Sequence, residues 1–220
     1  MIKKDYLKML NNLEQGEESV KPGQHDRVIF IDGLNLFLRN FAVLNFVNSS
    51  GNHIGGLAGF LRSLGALINQ IQPTTMYVVF DGVGASTNRR YLLPEYKSGR
   101  NTNRITNWDA FDDIDEENNS KVDQITRLIQ YLKCLPVKVV SIDKLEADDI
   151  IAYMSKDMAK RFDTKSYIVS SDKDFLQLVD KNVTVYRPIE REFYDVATVK
   201  QKFGIIPENF IHYKVLLGDA

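Results

Sequence analysis

An α/β domain with a central, mainly parallel sheet flanked by helices is what three features of this chain predict. Short apolar runs rich in β-branched residues recur along it, helix-period segments separate most of them, and acidic residues fall where the runs end. The 220 residues, 44% hydrophobic and 26% charged, suit one compact domain with a proper core.

Residues 1–26 form a polar N-terminal extension. Tyr6, Leu7, Met9, Leu10 and Leu13 outline a short amphipathic helix, and Lys21-Pro22-Gly23 marks a linker. Residues 27–31, continuously apolar after Arg27, read as a strand buried on both faces and end at Asp32-Gly33. Helices are expected over 34–43 and over 55–71, where Leu57, Phe60, Leu61, Leu64 and Ile68 repeat at helical spacing until Pro73. Residues 76–80 repeat the first strand pattern and end at Asp81-Gly82.

The stretch that follows has a different character. It begins basic, with Arg89, Arg90, Lys97, Arg100 and Arg104, turns acidic across 109–117, and lacks core periodicity. An exposed, mobile lid, arch or loop is expected there. Ser120 is expected to cap a helix continuing through Val122, Ile125, Leu128, Ile129 and Leu132. Residues 137–141 give a third strand, leading to an acidic helix start at Glu146, Asp148 and Asp149. A fourth strand over 165–170 ends at Ser171-Asp172-Lys173-Asp174; a fifth covers 183–186, with 192–194 as a short partner. Helices over 196–203 and 207–217 carry the chain to Gly218-Asp219-Ala220.

A net charge of −1 gives no global attraction to nucleic acid, so such binding has to come from a local patch. The single cysteine, Cys134, excludes an internal disulfide and a thiolate zinc cluster, and is expected to pack near a helix end. His25, His53 and His212 show no ligand spacing. No run approaches the roughly 18–20 apolar residues of a membrane span, and the polar start lacks the apolar core of a signal peptide. The expected location is cytoplasmic, with no membrane partner.

A lone carboxylate in a first helical turn is ordinarily a cap, and a lone aspartate after a strand ordinarily a turn former. Their coincidence says more. Parallel strands bring their carboxyl ends to one edge, so Asp32, Asp81, Glu146, Asp148, Asp149, Asp172 and Asp174 would converge in one pocket. Acid-only ligands favour Mg²⁺ or Mn²⁺, and two such ions roughly 4 Å apart can activate water and stabilise the leaving oxygen of a phosphodiester. Arg89, Lys97 and Arg100 on the neighbouring segment would hold the substrate phosphate.

Five stretches carry a resemblance: Ile31-Asp32-Gly33-Leu34-Asn35, Val79-Phe80-Asp81-Gly82, Arg89 with Leu93-Pro94-Glu95-Tyr96-Lys97-Ser98-Gly99-Arg100, Glu146-Ala147-Asp148-Asp149, and Ser171-Asp172-Lys173-Asp174. From about Val28 to Ala220 the chain resembles the 5′-nuclease superfamily of flap endonucleases, polymerase-associated 5′→3′ exonuclease domains and phage 5′ exonucleases. The resemblance implies a PIN-like fold over 27–205, with a flexible helical arch at 90–119, and cleavage of branched or nicked DNA near a 5′ single strand. It implies that Asp32, Asp81, Glu146 and Asp148 surround one metal ion, and that Asp149, Asp172, Asp174 and Asp219 complete a second. Arg89 and Lys97 match the basic pair at the arch base, and Arg90, Tyr96, Arg100 and Arg104 belong to the same DNA-contacting stretch. Where the family places a base-stacking ring, this chain has Leu38; Phe37 beside it and Phe41 a turn away are the stacking candidates. Residues 206–220, with Gly218-Asp219, match the start of a helix–three-turn–helix region that grips duplex DNA and often K⁺; the second aspartate of that motif is absent here.

The expected function is a Mg²⁺-dependent, structure-specific 5′ nuclease, acting as a monomer on DNA with a 5′ flap, nick or RNA primer, alongside replication proteins. Two alternatives are a PIN- or NYN-like ribonuclease, against which the basic stretch around Lys97 speaks, and a catalytically silent nucleic-acid-binding module.

Overall fold

The computed structural model describes residues 26–97 and 104–218, and the expected N-terminal helix, Arg100 and Asp219 lie outside those residues. Five parallel strands, β1 (Arg27–Asp32), β2 (Thr75–Val79), β3 (Lys138–Val140), β4 (Lys165–Val169) and β5 (Val183–Arg187), pair with β6 (Glu192–Tyr194), which runs antiparallel to β5. Their order is β3-β2-β1-β4-β5-β6. The chain therefore builds outward from β1 on one side and then returns to add β4 on the other. Between and after the strands come α1 (Gly33–Val43), α2 (Gly55–Ile71), α3 (Thr87–Leu92), α4 (Ile114–Leu132), α5 (Ala147–Phe162), α6 (Val196–Phe203) and α7 (Phe210–Leu217).

Both faces of the sheet are covered, which is why β1 and β2 read as unbroken apolar runs. Ile29, Ile31, Met76 and Val78 point to a core shared with α1, α2 and α4. Val28, Phe30, Tyr77 and Val79 point the other way, to α5, α6, α7 and the 3₁₀ turn Lys173–Leu178. Gly82 permits a close crossing beside the site: a Cβ there would lie 1.8 Å from the Ile142 carbonyl oxygen, and its N–H reaches the Leu145 carbonyl at 3.0 Å. The loop after β2 is thereby pressed onto the loop leading to α5. Among the described residues no helix is long and apolar enough to cross a membrane.

Four expectations need correction. Residues 104–119 are not wholly exposed: most of them, Trp108 included, face solvent, but Ile105, Asn107, Phe111 and Glu117 are buried and Phe111 stacks on Phe41 with ring centroids 5.6 Å apart. Ser120 does not cap α4; Asp113 does, accepting from the Asp115 and Glu116 amides, so the acidic run is a helix start complementing the macrodipole. Phe37 and Phe41 are fully buried core rings, with no face for a base. Cys134 follows a helix end as expected but is exposed. In addition, the last segment breaks into a 3₁₀ turn, Pro207–Asn209, and α7, in place of one continuous helix.

Glu117 anchors the segment before α4. Its carboxylate accepts from the Thr106 and Asn107 amides, both at 2.8 Å, from Thr106 Oγ1 at 2.7 Å and from Lys121 Nζ at 2.8 Å. Burial pushes its proton affinity up, but Lys121, Thr106 and Asn107 outweigh that and hold the group below the usual carboxylate range. Glu117→Ala strands these donors and is expected to cost about 2–4 kcal/mol in chemical denaturation, with Glu117→Gln losing less. Equal unfolding midpoints for Glu117→Ala and wild type would contradict this anchoring.

Candidate metal and nucleic-acid site

The carboxyl edge of the sheet carries the acids. Asp32 ends β1 and is 7% exposed; its carboxylate caps α1 through the Asn35 amide at 3.1 Å and accepts from Ser170 Oγ at 3.1 Å. Ser170 in turn accepts from the Asp172 amide at 3.1 Å, and Asn35 Oδ1 takes the Ser171 amide at 3.0 Å. Asn35 and Ser170 thus join the first strand end to the fourth. Neither was marked as a site residue from sequence; the polar Ser170-Ser171 pair closing an apolar strand is the signal that pointed there.

Asp81, just beyond β2, accepts from the Ala147 amide at 2.8 Å and so caps α5, the helix after β3. Glu146 sits at the cap position without bonding its own helix, which leaves its carboxylate turned to other partners. Asp148 in the first turn accepts no hydrogen bond among the described residues. Burial first, then the charges of Asp32, Asp172 and Asp81, raise its pKa to about 7. Burial, opposed by the Asn35 and Ser170 hydrogen bonds and assisted by Asp81 and Asp172, raises Asp32 to about 6. Asp32, Asp81, Asp148 and Asp172 therefore share one electrostatic field.

The remaining acids are already paired with cations. Arg89, in α3, contacts Glu146 and reaches Asp149 at 2.6 Å; Lys97 Nζ lies 2.7 Å from the second oxygen of Glu146. Tyr96 stands between them, its hydroxyl accepting from Arg89 at 2.8 Å and donating to Glu146 at 2.9 Å, with both cations over its ring. Lys97 holds this position in a left-handed backbone conformation, φ 59°. Asp174 pairs with Lys214 of α7. Burial pushes Glu146 up, but the Lys97 and Tyr96 hydrogen bonds and the Lys97 and Arg89 charges leave it below the ordinary range.

Asp32, Asp81, Asp148, Asp149, Asp172 and Asp174 line one cleft of about 520 Å³ together with Arg89, Tyr96 and Lys97, with Leu38 at its wall. Arg90 and Arg104 are exposed and do not line it. A larger groove of about 1050 Å³ beside α4 has no such convergence; its His53 is tied to the Leu44 carbonyl and to Gln124. Among the described residues no three acids are gathered closely enough to hold a metal ion as they stand. The donors nevertheless suit a hard divalent cation, because all are oxygens and their mutual repulsion is what such a charge relieves.

A family model for the 5′-3′ exonuclease N-terminal resolvase-like domain matches residues 27–204. A 5′-3′ exonuclease of Buchnera aphidicola subsp. Acyrthosiphon pisum is 30% identical over 198 residues, covering 90% of this chain and 64% of that protein. One from Aquifex aeolicus is 34% identical over 191 residues, covering 86% and 60% respectively. The chain therefore spans less than two-thirds of the length of these relatives. A solved bacteriophage T5 flap endonuclease, in a pseudo-enzyme-product complex with DNA and metal ions, shares the fold at a TM-score of 0.67 and 20% identity, over 88% of this chain and 66% of that one.

The raised pKa of Asp148 has a sign that can be measured. A folded value of about 7 against an ordinary 3.8 makes the stability of the metal-free protein fall as pH rises between those limits. Asp148→Asn removes the charge, so it should stabilise the metal-free protein by roughly 1–3 kcal/mol above pH 7, with the gain vanishing towards pH 4. Thermal melts in EDTA across that range check it, and a destabilised variant at high pH would contradict the mutual repulsion.

Proposed function

Because the chain belongs to the family of the 5′-3′ exonuclease N-terminal resolvase-like domain, we propose that it is a structure-specific 5′ nuclease hydrolysing phosphodiesters in branched, nicked or RNA-primed DNA. The observation that carries this reading is the single cleft in which acids from three parallel strand ends and one helix start face the cations of Arg89 and Lys97.

Asp32, Asp81, Asp148 and Asp172 are the side chains that would hold Mg²⁺ or Mn²⁺, with Glu146, Asp149 and Asp174 available once their own cation partners are drawn away. Asp219 is proposed from the sequence resemblance alone. Such ions supply a nucleophilic hydroxide at neutral pH and charge to meet the leaving oxygen. Arg89 and Lys97 have a role that follows from their present partners. A phosphate entering the cleft is a further anionic acceptor with guanidinium-matched geometry, and it would compete with Glu146 and Asp149 for Arg89 and Lys97. That exchange releases two carboxylates and places two cations where charge develops on the scissile group. Tyr96 holds both cations over one ring and would limit how far they have to move. Leu38, exposed at the wall, offers apolar contact where the family stacks a base.

Cleavage of a labelled 5′-flap DNA in Mg²⁺, with EDTA and Asp172→Asn as controls, tests the reading: a product at the flap junction, lost in both controls, is expected. Cutting of single-stranded RNA with the flap left intact would replace it by a ribonuclease of the same fold. Lys97→Ala should lower single-turnover cleavage about 100-fold. If it changes only the DNA affinity, Lys97 is a general phosphate contact and has no part in the transition state.

A further inference from the structure

Ser170 stands where the ladder between β1 and β4 ends, and its hydroxyl does more than close a strand. The parallel register stops at Ile31 beside Val169, so Asp32 and Ser170 are the next pair in line. The Ser170 amide turns to the Tyr186 carbonyl of β5 at 3.2 Å. Across to β1 it is the side chain that continues the pairing, with Ser170 Oγ donating to Asp32 Oδ2 at 3.1 Å. Asp32 keeps the alternation of Phe30 and Ser170 that of Ile168, which puts both on the sheet face covered by α5, the helix whose first turn carries Asp148. Ser170 is fully buried there.

The direction of each hydrogen bond follows from the groups involved. The Asp172 amide, 3.1 Å from Ser170 Oγ, can only donate. A hydroxyl has one proton, so that of Ser170 is committed to Asp32. The other Asp32 oxygen accepts from the Asn35 amide at 3.1 Å. The carboxylate is therefore gripped at both oxygens and fixed in its plane, while each oxygen keeps a lone pair for a cation. Asp172, held at its amide by the same hydroxyl, caps the 3₁₀ turn through the Asp174 amide at 2.8 Å. A single buried oxygen thus sets how two acids of the cleft stand relative to each other. A separate bond, from the Ser171 amide to Asn35 Oδ1 at 3.0 Å, joins the same strand ends, so losing the Ser170 hydroxyl alters orientation before it alters the sheet.

We propose that Ser170 is a positioning residue that fixes Asp32 against Asp172, so that a divalent cation entering the cleft meets acids already set in place. Without the hydroxyl, Asp32 is free to turn about its last torsion, and the charges of Asp81, Asp148 and Asp172 drive it away from the shared site. A donor set that has to be gathered at the moment of binding holds its ion less tightly than one preorganised by its neighbours. The inference rests on the cation-holding part of the nuclease reading and deepens it, since it names a group that touches neither cation nor substrate and yet governs cation affinity.

Mn²⁺ titration of the DNA-free chain, with free Mn²⁺ read by electron paramagnetic resonance, tests this in the wild type, Ser170→Ala and Ser170→Thr. Ser170→Ala should weaken Mn²⁺ binding about 10–100-fold, and Ser170→Thr, which keeps the hydroxyl, should restore it. Thermal melts of the same preparations in EDTA report what the change costs the fold alone. A lower melting temperature in Ser170→Ala with unaltered Mn²⁺ affinity overturns the proposal and leaves the hydroxyl a constraint on folding. So does weakened binding that a folded Ser170→Thr shares in full. Ser170→Cys keeps the shape with a weak donor and carries the test where the alanine variant does not fold; wild-type affinity in that variant also overturns the proposal. Flap cleavage separates the two claims. A wild type that neither binds Mn²⁺ nor cleaves in Mg²⁺ counts against the nuclease reading itself, whereas a wild type that does both, with variants of equal affinity, counts against the positioning role alone.

Discussion

Repulsion among carboxylates that the backbone forces together is the constraint from which the rest of the structure follows. Asp32 and Asp81 are brought close because β1 pairs with β2 in parallel register, and Asp172 because β1 pairs with β4. Hydrogen bonds from Ser170 and Asn35 offset only part of the cost of that company. It is sustained by the two apolar layers on either face of the sheet, which hold the strand ends in place whatever the charges prefer.

The acids divide into two sets by how their charge is met. The inner set, Asp32 and Asp148, is desolvated and retains protons towards neutral pH. The second set, buried Glu146 with the exposed Asp149 and Asp174, is answered by Arg89, Lys97 and Lys214. The same division recurs at β5, where Arg187 and Glu190 satisfy each other only in part. At both places the cations are occupied by protein carboxylates.

Much of this was legible in the sequence, for reasons tied to particular residues. The helix over Gly55–Ile71 and the first strand were readable because an apolar repeat and a Gly or Pro boundary coincide there. The acids at the strand ends followed from the direction of a parallel sheet. What escaped depends on distant partners. That Asp81 caps a helix beginning at Ala147, or that Ser170 bridges Asp32 to Asp172, has no local signature. Residues 104–113 looked like a loose loop because Ile105, Asn107 and Phe111 are buried singly, without a period. Phe37 and Phe41 occupy positions i and i+4 of one helix, and that spacing favoured a core face over a pair of stacking rings from the start.

The late arrival of β4 beside β1 also governs when the cleft can exist. The hydrogen bond between Asp32 and Ser170 joins residues 138 positions apart, and the strands that flank β1 come from opposite halves of the chain. Contacts of such long range form slowly, since loop closure must precede any gain from pairing. During synthesis, β1, β2 and β3 emerge with only part of the acid cluster, and Asp172 joins after α5 has been made. A nascent or proteolytically shortened chain that ends before β4 therefore lacks one wall of the cleft, so the complete chemistry belongs to the fully threaded sheet.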